Sequence, residues 1–426
     1  MRSIAGPLGY QLVVFLERQE DGMEQLRIAF GQKGRCKMKV FQVPMLAMSL
    51  VGLGLLSGLD APPARADFTF GQPVNIQSDF PFLDPATEWI TCFSADGLEV
   101  YGISFGNRPG AYGLGDLWVC KRASPEDDWG LPENLGATIN SASQDGFPFL
   151  AADGLELYFW SGRDGGYGAQ DLYVTRRATR TTPWEAATNL GQPVNTSQQE
   201  SVPVVSPDGL ELYFTSTRPG GYGGFDMYVS TRATPDDPWG DPANLGPAVN
   251  SPGNDLPGPL SPDGLLMFFG SDRPGGFGPW GDGYVTRRAS RSAPWQPAVN
   301  LGPIVNATPW NEPKVSADGT TLYILCDPND DMTTWTYKAP IIPIVDFNGD
   351  GKVDRVDMGT LMLNWGTDKS LYDIGPTPLG DGIVDSKDLM VLAQHGAMLA
   401  GDVNYDGVVD FFDLVELAKN WLQQGP

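Results

Sequence analysis

Along most of the chain the apolar residues fall in short runs, alternating or clustered, between Gly, Pro and Asp punctuation. ESVPVVS from Glu200, LELYFTS from Leu210 and FDMYVSTR from Phe225 are the clearest, and each predicts a short strand because β-branched and aromatic residues fit a pleated, half-buried surface. The pattern returns. SADGLEVY at Ser94 recurs as AADGLELYF, SPDGLELYF, SPDGLLMFF and SADGTTLY, with the Asp residues at 96, 153, 208, 263 and 318, separated by 57, 55, 55 and 55 residues. Such regularity predicts five copies of one supersecondary unit.

Within a copy, Asp208-Gly209 predicts a tight two-residue hairpin, since Asp and Gly accept positive φ cheaply. A further short strand is expected at the NLGPAVN-type phrase, at 189–195, 244–250 and 300–306. Four strands per unit describe a propeller blade. The last copy lacks that phrase after TWTYKAP, while FGQPVN at Phe70–Asn75 stands alone before the first. The N-terminal strand is therefore expected to complete the fifth blade and remove the exposed sheet edges.

SPDG and RPGGYGGFDMYVSTR resemble the PD40, or WD40-like and TolB-like, propeller repeats of secreted bacterial proteins, over roughly residues 67–340. The first copy departs near Arg108, the fourth reads RPGGFGPWGDGY, and the fifth loses the Arg-Gly-Gly segment.

Composition narrows the function classes. A chain of 426 residues with 41% hydrophobic and 19% charged residues buries a large core. Its formal charge of −24, with 28 Lys and Arg against 52 acids, excludes a nucleic-acid partner, which needs a basic surface. Lys33, Arg35, Lys37 and Lys39 precede an apolar run from Val43 to Leu56, and Ala64-Arg65-Ala66 offers small residues for cleavage, the pattern of a secretory signal. The run is too short for the roughly 20 residues that span a bilayer, so a secreted, extracellular or cell-surface protein with no stable membrane span is expected. Translation is expected to begin at Met38, and Met1–Cys36 to carry no fold. Cys92, Cys120 and Cys326 remain after cleavage; Cys92 and Cys326 are able to pair in a closed ring, but buried thiols acting as small hydrophobes are the simpler reading.

Candidate chemistry in the propeller is sparse. Arg108, Arg163, Arg218 and Arg273 are followed by Asp116, Asp171, Asp226 and Asp282, which predicts one structural Arg–Asp pair across each hairpin. Tyr112, Tyr167, Tyr222 and Phe277 lie in the Gly-rich loops, where aromatic faces stack on sugar rings or contact protein, although ordinary packing is the simpler expectation. Trp129, Trp184, Trp239 and Trp295 share a register and are assigned to the core. His395 is the only histidine, and no GxSxG, HExxH or P-loop spacing occurs. Glycoside hydrolysis needs only two carboxylates; Glu88, Glu200 and Glu312 are the candidates outside the repeat.

The C-terminal segment differs. DFNGDGKVDRVD places Asp346, Asn348, Asp350, Asp354 and Asp357 at calcium-ligand spacing, with Gly351 turning and the Lys352 carbonyl available. DVNYDGVVDFFD repeats it with Asp402, Asn404, Asp406, Asp410 and Asp413 and the Val408 carbonyl. A middle copy keeps Asp381, Asp385 and Asp388, with Ile383 at the carbonyl position, and Asp373 as an upstream donor. Both full loops end in Asp and run into DMGTLMLNW or DLVELAKNW, features that resemble type I dockerin repeats. That resemblance implies calcium as the cofactor and a cohesin-like partner module, with Arg355-Val356, Ser386-Lys387 and Phe411-Phe412 at the positions that influence partner choice. His395 aligns with Asn364 and Asn420 at a helix end and needs no metal role.

The expected fold is an all-β propeller of five four-stranded blades followed by a small α-helical calcium-loop domain, divided as 1–66, 67–340 and 341–426. The expected function is a non-catalytic recognition or assembly protein, its propeller binding a glycan or protein. A dockerin-bearing polysaccharide hydrolase or lyase, with its site in the propeller funnel, is the alternative; a calcium-stiffened terminal module with no cohesin partner is a third.

Overall fold

The computed structural model describes residues 68–343, apart from 81–83, 85–87, 106–107, 278–280, 307–310, 317 and 327–334, together with strands between 2 and 38 and scattered residues between 347 and 392. The chain divides into two units, Met1–Pro62 and Pro63–Pro426.

The first unit carries an antiparallel sheet of Arg2–Ala5, Tyr10–Arg18, Glu24–Gln32 and Arg35–Met38, paired in chain order. The expectation that Met1–Cys36 has no fold is therefore corrected. The apolar and β-branched stretches QLVVFL and LRIAF supply the strand preference.

The second unit is a propeller of five sheets. Blade one comprises Glu88–Phe93, Glu99–Phe105, Gly115–Lys121 and Glu133–Asn134. Blade two comprises Asp145–Leu150, Glu156–Ser161, Asp171–Arg176 and Thr188–Asn189. Blade three comprises Glu200–Val205, Glu211–Ser216, Asp226–Thr231 and Ala243–Asn244, and blade four Asp255–Leu260, Leu266–Ser271, Asp282–Arg287 and Val299–Asn300. Blade five contributes Asn311–Val315, Thr321–Cys326 and Trp335–Pro343. Its outer positions are filled from the N-terminal side: Val74–Asn75 pairs with Lys338 and Tyr337, and Phe68–Phe70 with Pro343–Ile341. The strand expected from FGQPVN thus closes the ring, and Phe93 of blade one stacks on Tyr323 of blade five, centroids 4.2 Å apart.

Each Ser-x-Asp-Gly phrase turns the first strand into the second. Gly209 takes φ +74°, and Ser206 Oγ donates to Asp208 Oδ1 at 2.6 Å while accepting from Glu211 N–H at 2.9 Å. The loop is longer than the expected two-residue turn: Ser206 N–H closes it on Glu211 O. The two Asn residues of NLGPAVN explain that phrase. Asn250 brackets Met227 through its side chain, accepting from N–H and donating to O, and also donates to Asn244 Oδ1 at 2.9 Å, locking the short fourth strand onto the third.

The core lies between blades. The first strand of each of blades two to five packs on the second strand of the blade before it, burying clusters such as Tyr158, Phe214 and Trp239 between blades two and three.

Candidate functional site

The arginines of the loop between second and third strands are paired, but not as expected. Arg108, Arg163, Arg218 and Arg273 bind Glu88, Asp145, Glu200 and Asp255, the first residues of the inner strands, at 2.9, 2.8, 3.3 and 2.7 Å. Arg163 also donates to Ser161 Oγ and Ile139 O and lies 4.6 Å over Tyr173. The predicted partners do other work: Asp116, Asp171, Asp226 and Asp282 accept the main-chain N–H of Tyr112, Tyr167, Tyr222 and Phe277. A Cβ on Gly221 would strike the Asp226 carboxylate, which is why that loop reads Gly-Gly. Sequence spacing favoured the nearer carboxylate on the same hairpin, but that carboxylate is taken up by the main chain of its own loop.

Glu88 and Glu200, candidates for unique chemistry, therefore belong to the repeating scaffold. Glu312 does not. Blade five has no bulge in its inner strand, so Asn311 takes the first position, opposite Cys326, and Glu312 sits opposite Leu325. The same register holds Trp89, Gly146, Ser201 and Leu256 in the other blades.

These unlike residues converge. A cavity of about 320 Å³ opens on the axis where the inner strands begin, walled by Trp89, Phe147, Trp160, Phe225, Asp272 and Glu312 among others. Glu312 is 5% exposed; its Oε2 lies 3.4 Å from Lys314 Nζ, and its Oε1 has no hydrogen-bond partner among the described residues. Trp89 Nε1 is likewise buried and unpartnered. Asp272 accepts from the Asn254 N–H and Nδ2 at 2.5 and 2.7 Å. A second cavity, about 270 Å³, opens at the opposite end and is mostly apolar, with Lys314 in its wall. Phe147 and Val202 line both cavities, and each has φ +48°, a strained conformation for a β-branched or bulky residue.

The loop aromatics stand on the end of the blades where the inner strands begin but outside the wall of this cavity, and Tyr167 Oη lies near Gly191, beyond the outer strand of its blade. Tyr112, Tyr167, Tyr222 and Phe277 are 51%, 50%, 49% and 59% exposed, so the expectation that they pack is corrected: holding the loop by its main chain leaves the rings in solvent. Trp239 and Trp295 are buried as expected, whereas Trp129 and Trp184 are half-buried. All four lie beneath guanidinium groups, of Arg122, Arg177, Arg232 and Arg288. These arginines were missed, although the recurring STR and TRR phrases mark three of them.

Cys92 and Cys120 are free and buried, and burial pushes both thiols up to about 12, which leaves them poor nucleophiles.

In the C-terminal segment the helix Arg355–Leu363 follows the first candidate calcium loop. Asp357 and Asp388 are fully buried, beside a small core of Leu361, Ile374, Val384 and Leu392. Phe347 N–H donates to Asp357 Oδ1 at 2.7 Å, and Ile374 N–H to Asp388 Oδ1 at 2.6 Å. Ile383 is 45% exposed. Asp346, Asn348, Asp350, Lys352, Asp354, Asp373, Asp381 and Asp385 lie outside the described residues, as do His395, Asp402, Asn404, Asp406, Val408, Asp410, Phe411, Phe412 and Asp413 and the side chains of Arg355 and Val356. Among the described residues no cluster of three metal-ligating side chains occurs, and no helix is long and apolar enough to cross a membrane.

No protein-family description matches the chain, and no curated protein does. Solved structures are similar at low identity. TolB from Acinetobacter baumannii is 15% identical over 79% of this chain and 67% of its own, with a TM-score of 0.38. An α-L-arabinofuranosidase from Lactobacillus brevis is 14% identical over 63% of this chain and 94% of its own, with a TM-score of 0.40. An α-L-arabinanase from Penicillium chrysogenum is 12% identical over 80% of this chain and 92% of its own, with a TM-score of 0.38.

Proposed function

We propose that this is a non-catalytic extracellular recognition protein, whose propeller holds a glycan at the aromatic-walled axial mouth and whose C-terminal segment is a calcium-folded, dockerin-like docking module. One observation carries the reading. The blades repeat their scaffold residues closely and differ from one another at the register of Trp89, Gly146, Ser201, Leu256 and Glu312, all but Gly146 being in the wall of the axial cavity.

Exposed Tyr and Phe rings on the same end of the blades as a mainly apolar, aromatic-walled pocket offer flat apolar faces of the kind a sugar ring stacks on. The repeating carboxylates are neutralised by arginines, which removes most acids that a two-carboxylate hydrolysis would use. A hydrolase reading rests on Glu312 and Asp272, the non-repeating acids of the mouth.

The calcium reading is supported by Asp357 and Asp388. Each closes its loop by accepting a main-chain N–H from upstream, and a divalent cation in the first loop would be held by Asp346, Asn348, Asp350, Asp354, Asp357 and the Lys352 carbonyl. Ile374 stands to Asp388 as Phe347 stands to Asp357, which puts Asp373 in the register of Asp346. The middle copy then reads as a calcium loop with extra residues, rather than one lacking its first ligand. A cohesin-like module is the partner this docking element would meet, through Arg355-Val356 and Phe411-Phe412.

The experiment is retardation of the secreted protein in gels containing soluble neutral polysaccharides, with reducing-end release followed in parallel. Retardation that Tyr167→Ala and Tyr222→Ala abolish is expected. Reducing ends appearing with time would replace recognition by hydrolysis, and no retardation on any polysaccharide would overturn the glycan reading.

A further inference from the structure

The axial mouth meets the second cavity at two shared residues, and of the two acids in its wall Glu312 is buried whereas Asp272 is exposed. Phe147 and Val202 belong to the walls of both axial cavities, so they stand at the partition between them. Both are pinned at φ +48° where the inner strands of blades two and three change register. Bulges of this kind re-aim side chains beside functional sites. A chain threading the ring would have to pass this partition. About 320 Å³ of space on the loop-aromatic side is at the small end of ligand pockets.

In the wall of that space Glu312 Oε1 is an acceptor and Trp89 Nε1 a donor without a partner among the described residues, both atoms buried just beneath the surface. Leaving such groups dry is costly unless a ligand meets them. A sugar hydroxyl donates to the first and accepts from the second, and the Trp89, Phe147 and Trp160 rings provide apolar wall. Glu312 turns its other oxygen to Lys314 at 3.4 Å, which orients the free one. A carboxylate-bearing sugar would face Glu312 and Asp272 in the same wall and a chain whose net charge is −24, so the site selects against uronates.

From this geometry we infer that the axial pocket takes the terminal residue of a neutral glycan, with the remainder of the chain running outward over the exposed Tyr112, Tyr167, Tyr222 and Phe277. This rests on the glycan reading above and adds that recognition is of chain ends, not of chain interiors. Glu312 and Trp89 are then the end-binding residues, and the loop aromatics extend the grip over the next units.

The test uses the full chain in calorimetric titrations against neutral glucan, xylan and mannan, each as intact polymer and as short oligosaccharides of the same linkage. End recognition gives one site per chain end, with an affinity that stops rising once the chain is long enough to cover the loop aromatics, so that beyond that length equal masses bind less as chains are lengthened. Glu312→Gln and the ring-preserving Trp89→Phe each weaken binding at least about tenfold. Both variants retain the wild-type thermal midpoint to within a few degrees, which separates lost binding from misfolding. Affinity that grows with the number of internal residues, unaffected by Glu312→Gln and Trp89→Phe but lost in Tyr167→Ala, would overturn end recognition while leaving glycan binding intact. No heat from any probe would overturn both.

Discussion

Arg177 of blade two reaches across the seam to Glu99 of blade one, with Nη2 2.6 Å and Nη1 3.1 Å from the two carboxylate oxygens. Its guanidinium lies 4.4 Å over Trp184, and its Nε donates to Gly154 O at 2.7 Å. The same clamp joins Arg232 to Glu156 and Arg288 to Glu211. The arginine side chains are 2–3% exposed, so removing one partner strands a buried charge. Arg177→Ala is expected to lower stability by about 3 kcal/mol or more, read as a fall in the denaturant midpoint. A change within about 0.5 kcal/mol would show that water reaches Glu99 once the arginine is gone.

Two seams lack the clamp. Between blades four and five the positions are taken by Leu266 and Ile341, both buried in one apolar cluster, an exchange that is often neutral or stabilising. Between blades five and one, Arg122 keeps its stack on Trp129 at 4.3 Å and donates to Gly97 O and Pro125 O, but the position across the seam is Thr321, the first residue of its strand. Thr321→Glu supplies the missing acid and should raise stability by about 1 kcal/mol. In a double-mutant cycle the gain should vanish with Arg122→Ala; a gain that survives would mean the new glutamate acts elsewhere.

Acid should loosen the propeller through its turns and seams. Burial works to raise Asp96, Asp208 and Asp318, but the hydroxyls of Ser94, Ser206 and Ser316 and nearby main-chain N–H groups outweigh it and hold these carboxyls below their ordinary value. Glu156 is held down in the same way against its burial, by Tyr158, Arg176 and Arg232. A depressed folded pKa contributes stability that is full above the unfolded value, about 4, and is lost as pH falls through the folded value. Denaturant midpoints should therefore be level near neutrality and decline below about pH 4. Glu156→Gln should lower the neutral value and flatten the acid decline; an unchanged slope would remove Glu156 from the cause.

The sequence displayed the scaffold because the scaffold repeats. Asp208-Gly209, the NLGPAVN phrase and the lone FGQPVN strand were legible as turn, outer strand and ring closure, each carrying a local signal. Partner choice was less legible. Arg163 binds Asp145 rather than Asp171 because pairing depends on which strand starts lie together at the axis, and spacing along one hairpin carries no trace of that. The mouth was hidden for the opposite reason: Trp89, Ser201, Leu256 and Glu312 resemble one another in nothing but register. The missing bulge of blade five, which moves Glu312 into that register, shows only in the pairing of Asn311 with Cys326.

On the calcium reading proposed above, calcium removal should act on the C-terminal segment and, among the described residues, reach the propeller through Leu379. Leu379 lies between Asp373 and Asp388, among the extra residues of the middle copy, yet it is 7% exposed and belongs to the apolar cluster of Phe68, Phe268 and Ile341 in blades four and five. On the calcium reading proposed above, folding of the loops would place Leu379 against the strand that closes the ring. In the full chain, a chelator should reduce helical circular dichroism and lower the propeller's thermal midpoint together, whereas Leu379→Asp should leave calcium affinity unchanged and abolish the effect of chelation on the propeller. Asp350→Ala and Asp406→Ala should each cut the calorimetric calcium stoichiometry by one site. Calcium binding without change in circular dichroism would mean that the loops are folded beforehand, and a propeller midpoint indifferent to chelator in the unmodified chain would leave Leu379 as a packing residue with no coupling role.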